Sequence, residues 1–173
     1  MPETKDLLLK KARFEDWEEL YRSAWSREET ARYMLWKVTE TEKEARSRME
    51  RTLRFQSEHD AWTVYEKKSG KAIGWGGMLP VESGVYEDCG IAVGPEYVGR
   101  GYGKQILGAL TDYAFDELNA RAFVVSCRRE NAASRGMILS CGFHFTHTEE
   151  REDPRGGGTY TLEFYWREKE ERK

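Results

Sequence analysis

Apolar residues recur along this chain with two different periods, and the changes of period mark out its elements. Leu7-Leu8-Leu9 begins an apolar run into Lys10–Arg13 and predicts a first strand. Phe14-Glu15-Asp16 then opens a helix that carries Trp17, Leu20, Tyr21 and Ala24 at helical spacing. Ser26, with Glu29 three residues on, has a capping-box pattern and predicts a short helix through Ala31, Met34 and Leu35. Over 40–58, Ala45, Met49, Leu53 and Phe55 sit amid charges, as in an amphipathic helix with a solvated outer face.

After His59-Asp60 the period shortens. Ala61–Tyr65 reads as a strand, 68–71 as a turn, and Ala72–Leu79 as the paired strand of a hairpin. Gly74, Gly76 and Gly77 inside that strand imply a bulge or a close backbone approach. Pro80–Gly84 reads as a loop and Val85–Val93 as a fourth strand. A loop over Gly94–Gly99 leads to a helix over Arg100–Leu118, with Ile106, Leu107, Leu110, Tyr113 and Ala114 on one face. Ala122–Cys127 is a short apolar strand, and Asn131–Ser140 a helix ended by Gly142 in a left-handed conformation. Phe143–Thr148 and Thr159–Trp166 are the last strands, with a mobile loop over Glu152–Gly158 between them. The charged run 167–173 reads as a frayed tail. This order predicts a single mixed α/β (α+β) domain over 1–173, built on one largely antiparallel sheet with flanking helices.

Composition narrows the class. At roughly 150 residues per domain, 173 residues make one domain. The chain is 34% charged, yet 6 Trp, 9 Tyr and 7 Phe supply enough apolar area for a core without disulfides. A net charge of −3 argues against nonspecific nucleic-acid binding. Three cysteines, with no CxxC pair, fit a reduced cytoplasmic compartment. No apolar run approaches the ~18–20 residues a membrane span needs, and the first residues do not read as a signal peptide.

The chemistry concentrates in Val93-Gly94-Pro95-Glu96-Tyr97-Val98-Gly99-Arg100-Gly101-Tyr102-Gly103-Lys104, which joins a strand to a helix. Its alternating glycines permit unusual backbone angles and close approach of a ligand. The first amides of the following helix lack internal partners and carry the positive end of its dipole, as a phosphate or pyrophosphate site requires. Arg100 and Lys104 add charge there. Neither a Walker A loop nor a dinucleotide loop fits the spacing. Spacing alone leaves two readings, an anion cradle or a plain turn before a helix.

The stretch IAVGPEYVGRGYGKQIL, followed about thirty residues later by NAASRGMILSCGF, resembles the GNAT superfamily of acetyl-CoA-dependent N-acetyltransferases, with its R/Q-x-x-G-x-G/A coenzyme motif and its Asn-led helix ending in Gly-Phe. ARYMLWKVTETEKEARSRMERTL is similar to the Rim-type branch, which acetylates ribosomal-protein N-termini and small amines. The resemblance implies a mostly antiparallel sheet of about seven strands, splayed between the fourth and fifth. It implies that Ile91, Ala92 and Val93 offer backbone groups to the pantetheine arm. It further implies that the amides of Gly99, Arg100, Gly101, Tyr102, Gly103 and Lys104 cradle the pyrophosphate, and that Asn131 hydrogen-bonds the coenzyme. Two positions depart from the pattern. Val98 stands where Gln or Arg is usual, and Ile138 stands where a general-acid tyrosine often lies.

Acetylating an amine requires removing its proton before attack. Glu87 is the candidate base: it lies on the fourth strand, and period 2 places it on one face with Cys89, Ile91 and Val93. Asp88 faces the other way and ranks below it, and Glu82 lies in a loop. Ser134 follows Asn131 in the N-x-x-S pattern of the Rim-type branch, where the serine is a proton-donor candidate for the thiolate. Its alternative is an early-helix residue bonded to its own backbone. The cysteines read as inert thiols, so an acyl-enzyme is not expected. His144 and His147 should point to opposite strand faces, and no metal is expected. Trp62, Trp75 and Trp166 read first as core or sheet-face residues, with lining of the acceptor cleft as the alternative. Arg128, Arg129 and Arg135 read either as partners of the coenzyme 3′-phosphate or as surface.

The resemblance therefore implies direct acetyl transfer from acetyl-CoA, as cosubstrate, to a primary amine of a small molecule or a protein N-terminus. No nucleic acid or membrane is expected as partner, and a homodimer is possible on family grounds. The competing reading, motivated by Val98 and Ile138, is a non-catalytic acyl-CoA-binding module. The overall acidity suits a cationic acceptor.

Overall fold

The central strands divide their side chains between two helix-covered faces of one sheet, so both hydrophobic periods end in packing. A computed structural model describes residues 1–170 of the chain. The strands are β1 (Leu7–Lys10), β2 (Asp60–Glu66), β3 (Ala72–Glu82), β4 (Val85–Asp88), β5 (Ala92–Val93), β6 (Ala122–Arg128), β7 (His144–Glu152) and β8 (Thr159–Glu168). The helices are α1 (Trp17–Leu20), α2 (Glu28–Ala31), α3 (Glu42–Glu58), α4 (Tyr102–Asp116) and α5 (Ala132–Ser140). Ile106, Leu107 and Leu110 of α4 and Ile138 of α5 pack with Ile73, Met78, Phe123 and Val125 in one core. Trp17, Leu20, Trp25, Ala45 and Met49 form the other core with Tyr65 and Ala72.

The sheet runs β1-β2-β3-β4-β6-β8-β7, with β5 joined to β3 alone. Every pairing is antiparallel except β4 with β6. That parallel ladder stops at Glu87 opposite Val124. Beyond it the chain breaks away through Gly90, whose φ of 117° an L side chain rarely adopts, and β5 turns toward β3. The fourth and fifth strands of the sequence reading are therefore splayed as expected, but the fourth is interrupted. This break makes eight strands of the expected seven, and it ends the period-2 alternation that was to align Glu87 with Ile91 and Val93. Gly74 is the close approach that the strand glycines implied: a Cβ there would lie 2.1 Å from the Ala92 carbonyl oxygen.

Other boundaries moved for local reasons. The helix opened by Phe14 continues as a π turn over Tyr21–Trp25. Ser26 consequently donates its hydroxyl back to Tyr21 O at 2.7 Å instead of capping forward. Arg27 is the N-cap of α2, which ends at Ala31 well before Met34 and Leu35. A reciprocal capping box does start α3, between Thr41 and Glu44. β3 continues through Pro80–Glu82, residues expected in a loop, because they pair with Tyr86 and Val85. Arg167 and Glu168, expected to begin the frayed tail, pair in β8 with Phe123 and Ala122. Residues 171–173 lie outside the described residues. The segment 153–158 is tethered: Arg128 and Arg155 each hold Asp153 at 3.0 Å, and Arg155 also donates to Ala31 O at 2.9 Å.

Candidate functional site

Leaving β5, the chain is fixed by Gly94 N donating to Ile73 O at 2.8 Å and then makes one 3-10 turn over Pro95–Tyr97. Gly99 (φ 82°) and Gly101 (φ 76°) are left-handed, and a Cβ on either would face open space. These positions need glycine for backbone conformation and not for room. The first α4 bond in this turn runs from Gln105 N to Gly101 O at 3.1 Å. The amides of Gly99, Arg100, Gly101, Tyr102, Gly103 and Lys104 find no acceptor among the described residues. Unsatisfied amides at a helix N-terminus favour an anion. Gly103 serves a different end, since its Cβ would lie 2.8 Å from Met137 Sδ, where α4 packs on α5.

Arg100 does not present its side chain to that loop as its position suggested. Its guanidinium donates to Glu66 Oε1 at 3.1 Å and Glu96 O at 3.0 Å and lies over the Tyr97 ring. Tyr102 donates its hydroxyl to the same Glu66 oxygen at 2.7 Å, and Ser69 donates to Glu66 Oε2 at 2.7 Å. The Ser69 and Tyr102 bonds, with the Arg100 charge, hold the Glu66 carboxyl below its ordinary range. Glu66 thus ties both ends of the glycine turn to β2. Lys104 makes no ion pair among the described residues and remains the loop's available cation.

The splay lies beside this turn. β5 has β3 on one side and no strand on the other, so the main chain of Ile91, Ala92 and Val93 borders the gap. Asn131 caps α5, its Oδ1 accepting from Ser134 N at 3.1 Å. Ser134 is half-buried on the first turn of α5, next to Cys127 of β6. Burial pushes the Cys127 thiol up to about 11 and the exposed-edge Cys89 thiol up to about 12. Neither is a thiolate near neutrality, which disfavours an acyl-enzyme. Ile138, which departs from the tyrosine pattern, is fully buried.

Glu87 and Asp88 both line a cavity of about 330 Å³ at the splay, together with Trp36, Trp75, Ser126 and Cys127. Burial raises the Glu87 carboxyl. Among the described residues no hydrogen bond or ion pair engages it, so it is available to a ligand in the cavity. Asp88 is raised to about 7 by burial. Both of its oxygens are occupied: Oδ1 accepts from Ser126 N and Oδ2 from Gly90 N, each at 3.2 Å. The sequence ranked Asp88 by strand face alone and missed that it bridges the splay. Glu82, the third candidate, is exposed and bonded to Arg121 at 2.5 Å.

A second cavity, of about 440 Å³, lies between α3 and the β2–β3 ladder. The two cavities share Trp36, Trp75, Cys89 and Gly90. Trp62 and Trp75 line the second one, in keeping with the cleft-lining alternative to a core role, whereas Trp166 lies under Arg121 on the sheet. Arg128 is buried, stacked over Tyr160 and paired with Asp153. Arg129 and Arg135 approach Glu163 at 3.5 and 3.7 Å. A bulge between Phe145 and His147 makes His144 pair with Trp166 and His147 with Phe164. Those partners are two residues apart, so both histidines share a face, contrary to the expectation from spacing. Among the described residues no group of three or more His, Cys, Asp and Glu is placed to hold a metal.

Residues 6–144 match the family model of the acetyltransferase (GNAT) domain. Among curated proteins, an FsC-acetyl coenzyme A-N(2)-transacetylase of Aspergillus fumigatus is 30% identical over 88 residues. That match covers 46% of this chain and 37% of the relative, so the chain spans little more than a third of it. A GNAT-family acetyltransferase from Bacillus anthracis has the same fold, with a TM-score of 0.84 at 20% identity, covering 96% of this chain and 97% of that one. A ribosomal L7/L12 alpha-N-protein acetyltransferase, RimL, solved in complex with coenzyme A, aligns with a TM-score of 0.80 at 19% identity over 96% of both chains.

Proposed function

The chain belongs to the GNAT acetyltransferase family, and from that premise we propose that it transfers an acetyl group directly from acetyl-CoA to a primary amine, in the manner of the Rim-type branch. The observation that carries this reading is the run of six amides, 99–104, with no acceptor at the N-terminus of α4. They suit the coenzyme pyrophosphate, with Lys104 beside them. The free edge of β5 suits the amide groups of a pantetheine arm added like a strand, and Asn131, whose Oδ1 is committed to its cap, keeps its Nδ2 for the coenzyme. Bound there, acetyl-CoA supplies a thioester at the splay.

On the other side of the splay Glu87 takes the proton from the acceptor ammonium, its carboxyl raised toward the pH at which a base both holds and accepts a proton. The freed amine attacks the thioester carbonyl and forms the C–N bond. The C–S bond breaks as the adduct collapses, and the remaining excess proton on nitrogen passes to the departing thiolate, which the Ser134 hydroxyl steadies. Asp88 keeps the splay open by accepting from both sides of it. Positioning of the two reactants supplies most of the rate. The acceptor is an amine of a small molecule or of a protein N-terminus. The test is release of free coenzyme A thiol from acetyl-CoA in the presence of an amine panel, with the acetylated product read by mass. Release without any acceptor would point to an acyl-enzyme, and tight coenzyme binding without turnover on any amine to a binding module.

A further inference from the structure

The cavity of about 440 Å³ carries a charge pattern opposite to that of the whole chain. The net charge is −3, yet its lining includes Lys37, Arg48 and Arg51 and no carboxylate. Arg48 is the unusual one. It rises from α3 into the cavity with its guanidinium 4.1 Å from the Trp36 ring, 4.6 Å from Trp25 and 5.6 Å from Trp75. Its one recorded hydrogen bond goes to Thr39 Oγ1 at 3.2 Å, and no carboxylate pairs with it among the described residues. A guanidinium has five N–H donors in a planar fork, which matches a carboxylate or phosphate. Half-buried arginines normally find such a partner. Burial, and Arg51 nearby, bring its pKa down to about 10, so it stays charged at neutral pH. The stacking rings hold the fork in place while leaving its edge unpaired.

The same cavity adjoins the one lined by Glu87 and Asp88, with Trp36, Trp75, Cys89 and Gly90 lining both. The free charges are thus sorted across the two adjoining cavities. At one lies the unengaged carboxylate Glu87, beside Arg128 and Arg151 that are already paired with Asp153 and Glu149, and at the other lie the unpaired cations. Resting on the acetyltransferase reading above, we propose that the acceptor is a zwitterionic amine: its amino group meets Glu87, its flat apolar body lies between the tryptophans, and an oxyanion at its far end, carboxylate or phosphate, is bound by Arg48 with Arg51 and Lys37 at the rim. This reverses the cationic acceptor that overall acidity suggested, because the local field of a cleft, and not the net charge, selects what enters it.

Matched aryl-alkylamines test this. 2-Phenylethylamine, 4-(2-aminoethyl)benzoate and the phosphate monoester of tyramine differ only in the distal group, and spermine serves as the cationic arm. The anionic amines should exceed 2-phenylethylamine in kcat/KM by about tenfold or more, the scale of one charge-assisted hydrogen bond. The better of the two anions identifies the group. Arg48→Met, which keeps the stem against the rings, should remove that ratio, and Arg48→Lys should restore part of it. Arg51→Gln, at an exposed position that tolerates change, should lower the ratio severalfold even if the Arg48 variants fail to fold. Tryptophan fluorescence titrated with the benzoate amine, without acetyl-CoA, reads the cavity independently of turnover. Saturable quenching that is lost in Arg48→Met supports the site even if no acetyl is transferred. Turnover with no preference for the anionic amines, or with spermine preferred, overturns it while leaving the acetyltransferase reading intact.

Discussion

The two regions proposed to take coenzyme and acceptor are made of different material. The proposed coenzyme end is main chain: six amides, two left-handed glycines and the edge of a two-residue strand, all within fourteen consecutive residues, 91–104. The proposed acceptor end is side chain: Glu87, Trp36, Arg48, Trp62 and Trp75 come from five separated segments. Backbone recognition is invariant to the side chains around it and suits a constant ligand. Recognition by side chains can be rebuilt position by position and suits a ligand that differs among relatives. Variants of the first end should therefore change coenzyme affinity, and variants of the second should change turnover and acceptor choice.

The largest effect is expected from Glu87→Gln. Loss of a general base should lower kcat by about 10²–10⁴ at neutral pH, with coenzyme affinity by calorimetry unmoved. An equal loss of affinity would mean that the two ends are one unit. Next is Gly101→Val. A β-branched residue forced to φ 76° costs at least ~1–2 kcal/mol, so the loop should shift and the coenzyme Kd rise by about tenfold or more. Acceptor preference, measured at saturating coenzyme, should stay as it was.

Asp88 gives a smaller, pH-dependent signature. Its folded-state pKa of about 7 lies above the ordinary 3.8, so the folded protein holds this proton more tightly than the unfolded chain. Stability should then fall as pH rises from about 4 to about 7 and level off above, with Glu87 adding a slope of the same sign. Asp88→Asn keeps one accepting oxygen in the splay and removes the Asp88 share of that fall. Its melting temperature should match the parent at pH 4 and exceed it by a few degrees at pH 7.5. A parallel pair of curves would refute the assignment. The smallest effect is expected from Ser134→Ala. It should lower kcat by less than about tenfold, because a hydroxyl that only hydrogen-bonds the sulfur contributes about as much as one ordinary hydrogen bond. A drop beyond a hundredfold would make it the proton donor.

Legibility followed the same division. The glycine turn, α4 and the left-handed Gly142 after α5 could be read from adjacent residues, because helix ends and left-handed φ are local properties. The helix over 40–58 could be read from its period. The break at Gly90 could not, since alternation continues through it in the sequence, and only competition between β3 and β6 for the same strand interrupts it. Ser26 misled because a π turn upstream claimed its hydroxyl. His144 and His147 misled because one bulge reverses side-chain parity.

The sequence alone determined most of the order of elements, the glycine turn before a helix and the family resemblance, since each rests on short-range rules of backbone conformation or on contiguous motifs. Tertiary structure alone decided that Arg100 serves Glu66 instead of facing into the turn, that Asp88 spans the splay, and that Arg48 stands unpaired among tryptophans. These are partnerships between residues tens of positions apart. Distance and burial, which set the strength of every charge and hydrogen bond, exist only once the chain has closed on itself.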